Sequence, residues 1–116
     1  MNVQLIDGAS YLNTKNEFEY TTGFGRIRSL NFVIIKGEMT DPENFKAQAS
    51  ASIWFYPTSE IAIGGKQPIY TIDINLQDTE IIAILDINEN GYSISEKKLY
   101  DYFLTINNNS ELFEIV

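Results

Sequence analysis

The chain contains no histidine and no cysteine in its 116 residues. These absences remove Ser-His-Asp triads, Cys-His nucleophile pairs, His-ligated metals and zinc fingers. They also remove disulfides, so stability must come from packing and from the backbone ladder. A cysteine-free chain fits a reducing compartment without requiring one. Positive charge is scarce as well: eight Lys and Arg stand against sixteen Asp and Glu, a formal charge of −8. An acidic surface repels phosphate backbones, so no nucleic-acid partner is expected. No stretch approaches the roughly 20 apolar residues of a membrane-spanning helix, so no membrane partner is expected either. Residues 1–7 carry neither a basic n-region nor an apolar h-region, and no signal peptide is expected.

The charge is lopsided. Residues 1–66 hold seven acids and six bases, whereas residues 67–116 hold nine acids and only Lys97 and Lys98. A solubilising surface accounts for this, and docking of a basic partner on the C-terminal half is the alternative.

Hydrophobic residues make up 44% of the chain and charged residues 21%, ordinary for a folded protein and against disorder. The length suits a single domain over residues 1–116. The clearest pattern runs over residues 45–56. Phe45, Ala47, Ala49, Ala51, Ile53 and Phe55 occupy one parity; Lys46, Gln48, Ser50, Ser52, Trp54 and Tyr56 occupy the other. Successive side chains on a strand point to opposite faces, so this is a half-buried antiparallel strand. Residues 26–38 form a long β-prone run, apolar on both parities, which suggests a central strand. Asp41-Pro42-Glu43-Asn44 between them suits a type I turn, making residues 26–39 and 45–56 one long hairpin.

Shorter strands are expected at 2–6, 17–22 and 69–77, with Tyr70, Ile72, Ile74 and Leu76 inward in the last. Residues 58–65 are ambiguous between strand and one helical turn, and 64–68 form a loop. Residues 81–87, apolar on both parities apart from Asp86, read as a central buried strand. The period then changes. Leu99, Tyr102, Phe103 and Ile106 recur at helical spacing after Ser95, a good N-cap, which predicts a helix over 95–107. Ser93 with Glu96 offers a competing capping box. Residues 112–116 are an apolar tail that adds an edge strand. The row Ala47, Ala49, Ala51 leaves space on the core face, and the helix over 95–107 is expected to lie across it. The fold class is therefore mainly β: an antiparallel β-sandwich or partly open barrel of about seven strands, with one C-terminal α-helix.

Chemistry-bearing motifs are few. Asp86-Ile87-Asn88-Glu89-Asn90-Gly91 matches the first half of an EF-hand loop. Lys97 stands where the bidentate Glu belongs, so a plain turn between strand and helix is expected and no metal. Gly23-Phe24-Gly25-Arg26 lacks the third glycine of a phosphate loop and opens a strand. No carboxylate pair is marked as acid and base, so no catalytic residue and no cofactor is expected, and the chain reads as a non-enzyme. Trp54 and Tyr56 fall on the outward parity of the best strand, roughly 7 Å apart. They serve as anchors for a protein partner, as a stacking platform for a sugar, or as packing beneath a second layer. Arg26 and Arg28 share a parity and can pair with acids of a partner or of this chain. These four are the candidate interface residues.

The stretch 51–70, from Ala51-Ser-Ile-Trp-Phe-Tyr through Gly64-Gly-Lys-Gln-Pro-Ile-Tyr70, is followed by Leu99-Tyr100-Asp101-Tyr102-Phe103-Leu104 and Glu111-Leu112-Phe113. Together these resemble the small β-rich proteins encoded among the tail and virion genes of tailed bacteriophages. The resemblance covers about half the chain and carries no catalytic signature. It implies a structural role in a virion (tail, neck or capsid-associated), with copies of itself or other virion proteins as partners. Virion or host cytoplasm during assembly is the implied location. The alternative is a ligand-binding β-sandwich module of the carbohydrate-binding type.

Overall fold

Lys46–Tyr56 is a strand with Ala47, Ala49, Ala51, Ile53 and Phe55 buried, as its two-residue alternation requires. The computed structural model describes residues 1–64, 67–89 and 91–116. Its strands begin with β1 (Val3–Leu5), β2 (Tyr11–Leu12), β3 (Glu19–Tyr20), β4 (Phe24–Lys36) and β5 (Lys46–Tyr56). A short helix α1 (Ser59–Ile63) leads to β6 (Tyr70–Gln77) and a 3-10 segment, Asp78–Ile84. Then come β7 (Leu85–Asn88), β8 (Gly91–Ile94), α2 (Glu96–Thr105), α3 (Asn109–Leu112) and β9 (Phe113–Ile115).

One five-stranded sheet, in the order β6-β5-β4-β1-β9, is antiparallel throughout and curls into half a barrel. β2 pairs with β3, and β7 with β8, as separate ribbons. The mainly β, partly open barrel expectation holds, with nine strands among the described residues. The C-terminal tail pairs with β1 at the sheet edge. The helix near 95–107 is α2, and the Ser95 hydroxyl accepts from Lys98 N–H at 3.2 Å. Ser93 lies in β8, so it caps nothing.

β4 and β5 form the long hairpin. Asn44 N–H donates to the Asp41 carbonyl at 3.1 Å around Pro42, closing the expected turn. Gly37 stands just before it with φ +78°, and a Cβ there would sit 2.5 Å from the Asn44 carbonyl oxygen. Two register shifts, at Ile27/Ser29 and Ile34/Lys36, mark β-bulges that bend β4.

The core fills the concave side of the sheet. Two expectations need correction there. Residues 81–87 are not one strand: the chain runs as a 3-10 helix to Ile84 and only then extends into β7. Glu80 accepts from Gln77 N–H at 3.1 Å and turns the chain. Ile81 and Ile84, three apart, share one face at three residues per turn, and both are buried. It is also this segment that lies on β5; α2 packs chiefly on the segment, α3 and β9. The small alanine row is matched by the 3-10 turn, whose Asp78 carboxylate accepts from Ala47 N–H at 3.2 Å. α2 contributes Leu99, Tyr100 and Phe103 to the same core.

The ambiguous stretch 58–65 opens as α1, with the Thr58 hydroxyl accepting from Ile61 N–H at 3.3 Å. Gly65 and Lys66 of the expected loop, and Asn90 of the EF-hand-like stretch, lie outside the described residues.

Candidate functional site

The register of the hairpin brings the four candidate residues together. Arg26 stands opposite Trp54, and Phe24 opposite Tyr56. Arg28 is the extra residue of the first bulge, and its guanidinium carbon lies 5.9 Å from the centroid of the Tyr56 ring, a cation–π contact. Trp54 and Arg26 are half-buried and Arg28 is exposed. Tyr56 is different. It is 1% exposed yet stands apart from the hydrophobic core cluster. α1 follows it directly and packs on β4 and β5. Tyr56 is therefore not an interface side chain of the folded chain, and the two-ring platform does not form.

A surface that the sequence reading missed lies farther along β4. β1 pairs with Phe24 and Gly25 and stops. The next inward residue, Ile27, donates its N–H to the buried Tyr100 hydroxyl at 3.0 Å. Beyond it, no strand among the described residues pairs with that edge of β4. Along this run Leu30 is partly exposed, Val33 is 52% exposed and Ile35 62%. Beside it Tyr92 meets Phe32 edge to face, with ring centroids 5.8 Å apart, and Tyr92 stands opposite Ile87 in the β7–β8 ribbon. Ile87 and Tyr92 are both exposed. The signal is present in the sequence: residues 26–38 are apolar on both parities, which suggests a central strand without showing how far its second neighbour reaches.

The carboxylates in view are engaged in structural pairs. Asp78 meets Lys46 at 3.4 Å, Asp86 meets Lys98 at 3.0 Å, and Asp101 meets Lys97 at 2.8 Å. Asp73 meets Lys15 at 3.0 Å; hydrogen bonds from Lys15 and Ser52 hold its carboxyl below the usual range. Of the EF-hand-like stretch, residues 86–88 lie in β7 and Gly91 opens β8 opposite Asn88, and Asp86 is taken by Lys98. At the other end of the core, Tyr70 stacks on Phe55 at 4.7 Å and meets Tyr11 at 4.9 Å and Tyr20 at 4.5 Å. Burial pushes the Tyr70 phenol up, with smaller contributions from Tyr11 and Tyr20. Its hydroxyl is buried with no hydrogen-bond partner among the described residues.

No protein-family model, curated protein or solved structure matches the chain. Among the described residues, no helix is long and apolar enough to cross a membrane.

Proposed function

We propose that this chain is a non-enzymatic assembly protein that works by protein–protein contact, with copies of itself as the first partners. The observation that carries this reading is the distal half of β4: an unpaired strand edge bearing Leu30, Val33 and Ile35 in the open. Such an edge templates pairing with another chain, and proteins that remain monomeric blunt it. Charge supports a head-to-tail contact. β4 carries Arg26, Arg28 and Lys36 and no acid, whereas residues 67–116 carry nine acids and two bases. A basic edge meeting the acidic half of the next copy is a heterologous contact, which closes into rings when the rotation allows. The resemblance of residues 51–113 to small virion proteins points to a bacteriophage particle as the assembly, with other virion proteins as further partners.

Light scattering across a range of concentrations tests the reading. The expected mass is a defined multiple of 13.2 kDa that dissociates on dilution. The double variant Val33→Lys, Ile35→Lys is expected to return it to one chain without loss of fold. A single-chain mass at every concentration, or an oligomer indifferent to the double variant, overturns it.

A further inference from the structure

The outward face of β4, β5 and β6 aligns side chains in rows across three strands. One row is Asn31, Ser50 and Asn75; the next is Val33, Gln48 and Gln77. These two rows, with Phe32, Ala49 and Leu76 between them, line a groove of about 530 Å³. The two bulges of β4 fall on either side of them, so the strand is bent at both ends of the groove.

The lining is unusual for this chain. Charged residues are 21% of the sequence, yet none lines the groove, which has four carboxamides and a hydroxyl. A carboxamide offers two donors and an acceptor, and a hydroxyl offers both functions. Such a surface matches a ligand that is itself rich in hydroxyls and uncharged. An ionic ligand would be desolvated there with no opposite charge to meet. A peptide read by its backbone is also disfavoured. β5 is paired on both sides, with β4 and with β6, from Gln48 to Phe55, so recognition rests on side chains.

On the same face Trp54, partly buried, continues the line along β5. Gln48 to Trp54 spans about 20 Å at the strand rise, the length of a short oligosaccharide. In the intervening row Asp73 is neutralised by Lys15 at 3.0 Å and bonded by Ser52. We infer that this face is a binding site for a neutral oligosaccharide, with the Asn31, Gln48, Asn75 and Gln77 amides reading hydroxyls and the Trp54 ring stacking on a sugar face. This goes beyond the assembly reading; Val33 borders both surfaces, so the groove is tested by variants on β5 and β6, away from the β4 edge.

Trp54 is the single tryptophan and serves as the reporter. The protein is screened on an array of neutral and sialylated glycans, and hits are titrated as free tetrasaccharides by Trp54 fluorescence. Neutral glycans are expected to bind and shift the emission. Gln48→Ala and Asn75→Ala, both at exposed positions, are each expected to weaken binding about tenfold, the worth of one well-made hydrogen bond. Circular dichroism checks that both variants keep the fold. Three outcomes overturn the inference: no neutral glycan bound anywhere on the array, preference for the sialylated ones, or binding unaffected by the two variants together.

Discussion

β4 and β5 are the two strands of one hairpin, yet they stand in different physical situations. β5 has a neighbour on each side and buries one face completely, so its composition obeys a strict alternation. β4 is as apolar as a central strand but is paired on both edges only where β1 reaches, at Phe24 and Gly25. Beyond that point it keeps Leu30, Val33 and Ile35 in water. The contrast separates two meanings of an apolar residue. On β5 it reports the fold of this chain. On distal β4 it stands in solvent, and it is this exposed apolar surface on which the assembly proposal rests.

The sharpest way to break the comparison is to truncate one large side chain on each strand. Phe55 is fully buried, stacks on Tyr70 and contacts Phe103 and Phe113. Phe55→Ala is expected to cost about 3–5 kcal/mol, close to the whole stability of a small domain. Ile35→Ala is expected to lie within about 0.5 kcal/mol of the parent, because its side chain is mostly in solvent already. Urea midpoints on dilute protein measure both. A loss at Ile35 comparable to that at Phe55 would mean that distal β4 is core after all.

The boundary between the two regimes lies at Ile27, where β1 has ended and Tyr100 supplies the acceptor. Tyr100→Phe keeps the packing and leaves that N–H without its partner, at an expected cost of about 1–3 kcal/mol. Hydrogen exchange should show the Ile27 amide deprotected in the variant. Unchanged protection would show that the Tyr100 hydroxyl is dispensable.

The difference between the strands also decides what could be read in advance. β5, β6 and α2 were legible because each buries one face, so burial imprints its period on the sequence. The 3-10 segment was not, because Ile81 and Ile84 recur at three residues, and within a short apolar run that spacing looks like strand. β4 was read correctly as a strand and as central, being the middle strand of the five, but hydropathy could not say that β1 covers its second edge only at Phe24 and Gly25. Tyr56 shares the outward parity with Trp54 yet is buried beside the point where α1 packs on β4 and β5, and parity alone carries no sign of that packing. Gly25 belongs to no complete motif in the sequence. Its role is proximity: a Cβ there would lie 2.6 Å from the Phe55 ring opposite.

A smaller effect is expected beside Phe55, on its β6 partner. The Tyr70 hydroxyl is buried without a partner, so Tyr70→Phe removes an unsatisfied group and is expected to raise stability by up to about 1 kcal/mol. The variant should also blunt alkaline unfolding. Burial raises the Tyr70 phenol above its ordinary value, so the neutral form is the one that the fold favours. That contribution is intact below pH 10.0, the ordinary value, and is lost as the pH rises through the higher folded value. Tyr11 and Tyr100 are raised in the same direction by burial, so part of the alkaline loss should remain. Urea midpoints at neutral pH and above pH 10.0 distinguish the cases. An equal alkaline loss in variant and parent would remove Tyr70 as a cause.

The smallest effect belongs to the outward face, where β5 meets β6 through Ser52 and Asp73. Hydrogen bonds from Lys15 and Ser52 lower the Asp73 carboxyl, so the fold favours its ionised form. That contribution is present above the ordinary value of 3.8 and is lost as the pH falls through the lower folded value. Both partners of the ion pair are more than a third exposed, at 65% and 51%, so solvent screens most of the gain. Asp73→Asn is expected to cost less than about 0.5 kcal/mol at neutral pH, a difference that salt reduces further. Below the folded value the parent carboxyl is neutral too, and the two proteins should unfold together in acid. A gap that persists once the parent carboxyl is protonated would assign the effect to side-chain packing rather than to charge, and the outward face would then be contributing to stability in the way the core does.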